Sequence, residues 1–234
     1  MPVGTTIAIT GAGSGLGKAW SRGFLADGAR VIAADVNPTG LTELEALGAV
    51  AVVCDVADEA AVQAMIAAAV EHTGRLDALF NNAGFGMNRP FSDVPAGEFE
   101  RHVEVHLYGM IYGMRHALPV MQRQGSGRII NTISRAAEFA APRNAAYAAA
   151  KAGMWAATRS VCRDVVEEDI RINMLIPGPT NTAIWGREMP HMQSPEATYP
   201  TAKLLATLPK GGAHGEVFWD EKPYPIFKGL YEDA

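Results

Sequence analysis

The 234-residue sequence has only two cysteines, Cys54 and Cys162, each inside an apolar run. That number and placement exclude a disulfide framework and a Cys-x-x-Cys metal spacing, and they suit two core thiols in a reducing compartment. Positive charge is also scarce: 20 Lys and Arg stand against 25 Asp and Glu, a formal net charge of -5. A chain without a basic excess is a poor partner for nucleic acid or an anionic membrane surface. No apolar run reaches the ~18 residues of a membrane span, and Met1 leads into a strand-like segment with no basic leader before it. The expectation is a cytoplasmic protein with no membrane partner. Repeats and low-complexity linkers are absent as well. What is present is 48% hydrophobic residues, enough for a sizeable core in one domain over residues 1–234.

Short apolar or β-branched runs at 6–10, 30–34, 50–53, 76–81, 128–133 and 171–176 alternate with longer helical patterns. Leu16, Ala19, Trp20 and Phe24 mark one helix by their i, i+3, i+4 spacing, and Val62, Met65, Ile66 and Val70 mark another. Strands apolar on both faces need helices over both. The pattern therefore predicts an α/β, Rossmann-like, doubly wound parallel sheet. After Pro177 the chain is punctuated by prolines, which keep helices short. Residues 178–208 form an irregular substrate-loop region within the domain: a loop over the site at 178–193, then a helix at 194–208. A last strand is expected at 215–219.

The first strand runs into Thr10-Gly11-Ala12-Gly13-Ser14-Gly15-Leu16-Gly17. Glycines there let the backbone approach a pyrophosphate at the positive N-terminus of the next helix. The spacing is T-G-x-x-x-G-x-G; Leu16 occupies the third glycine position of the commoner G-x-G-x-x-G. Asp35 ends the second strand, where a carboxylate accepts hydrogen bonds from ribose hydroxyls and repels a 2′-phosphate. The following Val36-Asn37-Pro38 has no cation to neutralise one, which favours NAD over NADP. Asp55-Val56 and Asn81-Asn82-Ala83-Gly84 end the next two strands, where ligands of such sheets bind. The cofactor-binding residues expected on these grounds are Gly11, Ser14, Gly15, Leu16, Gly17, Asp35, Val36, Asp55, Val56, Asn82, Ala83 and Gly84.

Ser134 follows the fifth strand, and Tyr147 and Lys151 stand at i and i+4 on a predicted helix, hence on one face. A tyrosine titrates near pH ~10, so a base working near neutrality needs its phenolate stabilised. A lysine ammonium nearby does this by Coulomb attraction, at ~1.4 kcal/mol per tenfold change in acidity. Tyr147 is the expected general acid/base, Lys151 the group that lowers its pKa, and Ser134 a donor to the substrate oxygen.

Taken together, the glycine turn, Asp35, Asp55, Asn-Asn-Ala-Gly, Ser134, Tyr147-x-x-x-Lys151 and Pro177-Gly178 resemble the short-chain dehydrogenase/reductase family over roughly residues 5 to 183. The resemblance implies an NAD-dependent oxidoreductase that interconverts a secondary alcohol and a ketone. It implies that Tyr147 and Lys151 also touch the nicotinamide ribose, and that Asn82 lines the cofactor cleft. Further cofactor contacts are implied at Pro177, Gly178, Thr180 and Thr182.

Two departures stand out. Where the family carries a catalytic Asn, within Val-Asn-Leu-x-Gly, this sequence reads Val105-His106-Leu107-Tyr108-Gly109. A histidine there preserves the proton relay, shifts its pKa, breaks it, or merely fills a helix kink. His102 and His106 share a helix face, but no Glu lies between them in His-Glu-x-x-His order, and no metal is expected. The C-terminus lacks the family's Asp-Gly-Gly ending and reads Gly215-Glu216-Val217-Phe218-Trp219-Asp220. Apolar helix faces around 96–122 and 147–168 still predict a homodimer or homotetramer. Substrate contacts are sought among Phe85, Met87, Phe139, Trp185, Met189 and Met192, with Arg135, Glu138 and Arg143 alongside, and the partner is a small alcohol or ketone. The rival readings are a nicotinamide-binding sensor with impaired catalysis and an epimerase that oxidises its substrate transiently.

Overall fold

A computed structural model describes residues 4–139 and 141–227. The expectations for Met1 and for the end of a 1–234 domain lie outside these. Eight strands form one sheet: β1 (Thr6–Thr10), β2 (Arg30–Asp35), β3 (Val50–Val53), β4 (Ala78–Asn81), β5 (Gly127–Thr132), β6 (Ile170–Leu175), β7 (Val217–Trp219) and β8 (Lys222–Pro223). Their order is β3-β2-β1-β4-β5-β6-β7-β8, parallel throughout except for the antiparallel β7–β8 pair. The chain therefore winds outward from β1 to β3, returns to β4 beside β1, and winds outward the other way. That reversal opens a crevice at the carboxyl ends of β1 and β4.

Helices α1 (Gly15–Ala26), α2 (Pro38–Ala46) and α7 (Tyr199–Ala206) cover one face. Their core holds Trp20, Phe24, Phe80, Leu41, Leu44 and Leu205, all buried. Each aromatic contributes about 1.5–3 kcal/mol by leaving water, and Trp20 keeps its indole N–H satisfied by Thr198 Oγ1 at 2.8 Å. Over the other face lie α3 (Glu59–Thr73), α4 (Glu98–His102), α5 (Gly109–Gln124) and α6 (Ala145–Asp164), around Met65, Leu79, Met110, Ile129, Met154 and Ile172. Both sheet faces are thus dry, as the unbroken apolar strands require.

Several boundaries differ from the sequence reading. The fourth strand begins at Ala78 rather than at position 76, because Asp77 turns its carboxylate to the Thr6 amide (2.8 Å) and Leu76 N–H goes to Gln124 (2.8 Å). The expected helix at 194–208 is a 3₁₀ turn at Pro195–Thr198 followed by α7, since Pro195 and Pro200 withhold amide donors. Strand β8 was not expected. Between α4 and α5, residues Val103–Tyr108 form a π-helical turn that carries His106. Among the described residues, no helix is long and apolar enough to cross a membrane.

Candidate active site

The crevice is a cleft of about 1210 Å³ along the carboxyl ends of the strands. It is lined by Gly11, Ser14, Gly15, Leu16, Asp35, Val36, Asp55, Val56, Asn82, Ala83, Gly84, His106, Ser134, Tyr147, Lys151, Pro177, Gly178, Thr180 and Thr182. Of the expected catalytic and cofactor-binding residues, only Gly17 is not part of the lining. Its missing side chain lets α1 lie against the turn: a Cβ there would strike the Gly11 carbonyl and approach Asn82 Nδ2 to 2.9 Å. Gly17 is a packing glycine.

At the nucleotide end, Ser14 caps α1 without a side-chain hydrogen bond, and the first turn of the helix holds no acidic residue. The amides and positive end of this helix suit a phosphate. Asp35 accepts from Gly13 N–H (2.9 Å) and Asn37 N–H (2.8 Å), which aims its carboxylate across the glycine turn. Asp55 is held differently. Burial works to raise its pKa, but the Ala57 amide and Arg101 outweigh that and leave the carboxylate lowered. Arg101 lies 2.9 Å away and itself lines the cleft. Nothing in the sequence pattern paired these two, which are 46 positions apart.

Thr10 and Asn82 tie β1 to β4. Thr10 Oγ1 accepts from the amides of Asn82 (2.9 Å) and Ala83 (3.0 Å), and Asn82 Nδ2 donates to Thr10 O (3.0 Å). Asn82 therefore shapes the cleft wall with its amide as well as lining it. In the sequence, Thr10 is legible only as the first residue of the glycine motif.

At the chemical end, Ser134 leaves β5 extended and caps a 3₁₀ turn at Arg135–Ala137, its Oγ accepting from Ala136 N–H at 3.1 Å. Helix α6 presents Tyr147 and Lys151 on one face. Lys151 is buried, donates to Thr132 O at 2.7 Å, and sits 5.5 Å from the Tyr147 ring centroid. Burial pushes the Lys151 ammonium down to about 7. The Tyr147 phenol is raised by burial, and a hydrogen bond from Ser134 offsets part of that. The expected lowering of Tyr147 by Lys151 is thus not a property of the protein alone. Desolvation penalises both charged forms, and a lysine that loses its own charge near neutrality attracts the phenolate weakly.

His106 faces this pair. Its Nε2 lies 2.9 Å from Phe85 O and 3.3 Å from Phe85 N, while its Nδ1 is buried with no partner among the described residues. Its ring stands perpendicular to Tyr147 (5.2 Å between centroids) and stacks on His102 (5.6 Å, 4°), which in turn lies 4.1 Å from Phe85. Burial, and then the nearby Lys151 charge, hold His106 well below the ordinary histidine range, and burial lowers His102 too. Both shifts favour the neutral rings. No three His, Cys, Asp or Glu side chains among the described residues come together as a metal site.

Of the residues named as substrate contacts, Phe85, Met87, Phe139, Trp185, Met189, Met192 and Arg135 line the cleft, whereas Glu138 and Arg143 do not. Arg143 instead clasps Asn88 (2.9 Å), and Glu138 holds the C-terminal segment through the Tyr224 hydroxyl and the Phe227 amide (2.9 Å).

A family model for short chain dehydrogenases matches residues 5–193. Levodione reductase of Leifsonia aquatica is 37% identical over 188 residues, covering 76% of this chain and 69% of its own. Two solved structures superpose closely. The 3-ketoacyl-(acyl-carrier-protein) reductase from Brucella melitensis complexed with NADH has a TM-score of 0.86 at 28% identity, covering 92% of this chain and 96% of its own. The 7 alpha-hydroxysteroid dehydrogenase complexed with NADH and 7-oxo glycochenodeoxycholic acid has a TM-score of 0.82 at 28% identity, covering 92% of both chains.

Proposed function

Since the chain belongs to the short-chain dehydrogenase family of oxidoreductases, we propose that it interconverts a secondary alcohol and a ketone with NAD as the cofactor and Tyr147 as the general acid/base. The observation that carries this reading is the convergence of Ser134, Tyr147 and Lys151 in one cleft with a glycine turn and Asp35. The chain fits the cofactor by its own features: a helix end whose Ser14 cap makes no side-chain hydrogen bond and whose first turn holds no acidic residue, and a carboxylate aimed across the glycine turn. Gly11 through Leu16 would hold the pyrophosphate, Asp35 the adenosine ribose, and Pro177 through Thr182 the nicotinamide end. When bound, the nicotinamide supplies the hydride acceptor or donor and, oxidised, a positive charge.

In the oxidation direction, Tyr147 Oη takes the alcohol proton while Ser134 orients the oxygen. In reduction, Tyr147 returns the proton to the carbonyl oxygen. Lys151, anchored on Thr132 O, passes its charge to this step only while protonated, so its balance near pH 7 bears directly on the rate. Apolar helix faces support assembly as a homodimer or homotetramer, which sedimentation would measure. The test is a panel of secondary alcohols and ketones with NAD(H) and NADP(H), followed by absorbance of the reduced cofactor. Turnover by the parent and its loss in Tyr147→Phe, with NADH binding retained, supports the reading. NADH binding without turnover of any pair favours a sensor instead.

A further inference from the structure

The substrate half of the cleft is unequal in charge. Its lining includes two guanidinium groups, Arg135 and Arg187, and no carboxylate; the acidic lining residues, Asp35 and Asp55, both stand at the nucleotide end. Asp55 is already paired with Arg101. The same lining includes the apolar side chains Met87, Phe139, Trp185 and Met192.

Arg135 is fixed rather than free. Its guanidinium lies 4.2 Å from the Phe139 ring centroid, 5.2 Å from Trp219 and 6.0 Å from Tyr224, so three aromatic rings set its direction. Among the described residues, the carboxylate paired with it is Glu138, at 3.7 Å from Nε. That is an ion-pair distance without a hydrogen bond; the Glu138 oxygens accept from the Tyr224 hydroxyl and the Phe227 amide. Arg135 Nε is buried with no hydrogen-bond partner among the described residues. The Arg135 side chain nevertheless lines the cleft and is 40% exposed, so a ligand oxyanion that reaches the guanidinium gains charge-assisted hydrogen bonds there. Arg187 stands exposed at the rim, with no ion pair among the described residues. It adds a second positive charge where a ligand enters.

We infer that the substrate is an amphipathic molecule with an apolar body and a carboxylate or similar oxyanion, the anion being received by Arg135 and Arg187 while Ser134 and Tyr147 address the reacting oxygen. This deepens the redox reading of the same site and rests on it for the second half of the statement. The anion-binding half can be tested alone.

Two matched pairs serve as probes: 4-phenylbutanoate against 4-phenylbutanamide for binding, and 4-oxo-4-phenylbutanoate against its methyl ester for NADH oxidation. Calorimetry on the NADH-saturated protein should show the acid binding about tenfold or more tighter than the amide, with the difference shrinking as salt rises. Arg135→Met, which keeps the apolar stem against the rings, and Arg187→Met, at an exposed position, should each remove most of that preference. Unchanged NADH affinity and circular dichroism establish that both variants fold. Acids that bind no tighter than their neutral partners, or a preference untouched by both substitutions, overturn the inference. Reduction of the ester as fast as the acid leaves the redox reading standing and removes the anion site. Arginine-dependent acid binding with no NADH oxidation by either the keto acid or its ester does the reverse.

Discussion

His106 and Gly84 should behave as one unit. A Cβ built on Gly84 would run into the His106 ring, striking Cε1 and standing 2.6 Å from Nδ1. Gly84 does not have a positive φ, so the backbone would accept alanine and the collision is the whole cost. The ring cannot swing aside freely, because it is wedged between His102 and Tyr147 and held at Nε2 by Phe85. Overpacking of this kind costs about 1–3 kcal/mol. For a chain of this size that is a fall in Tm of about 2–4 °C per kcal/mol. The change His106→Asn trades the ring contacts and the Phe85 clamp for a smaller amide, and it also removes the unpartnered Nδ1. We expect it to cost about 1–2 kcal/mol. In Gly84→Ala/His106→Asn the added methyl has room, so the double variant should be scarcely less stable than His106→Asn alone. The coupling energy is then about 1–3 kcal/mol, read from a double-mutant cycle by urea unfolding. Costs that add to within about 0.5 kcal/mol would refute the clash.

Three further outcomes are expected. Thr10→Val orphans the amides of Asn82 and Ala83 at once, so it should cost about 2–4 kcal/mol in urea unfolding and weaken NADH binding with it. Asp35→Ser should shift cofactor preference toward NADP by at least about tenfold in kcat/KM, since it removes the carboxylate that repels a 2′-phosphate; an unchanged ratio would contradict the role given to Asp35. Lys151 carries a pH signature: its folded pKa of about 7 lies below the unfolded value near ~10.4, so between them the unfolded chain binds more protons and stability rises with pH. Below pH ~7 the burial penalty is fully present. Without cofactor, Lys151→Met should therefore raise Tm at pH 6, gain less as pH approaches 10, and flatten the parent's slope; a parallel pair of curves would show that Lys151 is charged throughout.

The alternation of apolar runs with helical spacing was enough to specify a doubly wound sheet, because strands buried on both faces carry that burial in their composition. The i, i+4 spacing of Tyr147 and Lys151 and the order of the glycine turn are likewise local facts, readable without coordinates. Only the tertiary structure decided what surrounds them. Asp55 meets Arg101 across 46 positions, Thr10 meets Asn82 across 72, and Glu138 meets Tyr224 across 86. No periodicity records such pairs, since each depends on how crossovers bring distant loops to one edge of the sheet. The same holds for ionisation. Composition gives Tyr147 and Lys151 their ordinary pKa values, but how far each is driven toward its neutral form depends on how much water the finished cleft admits.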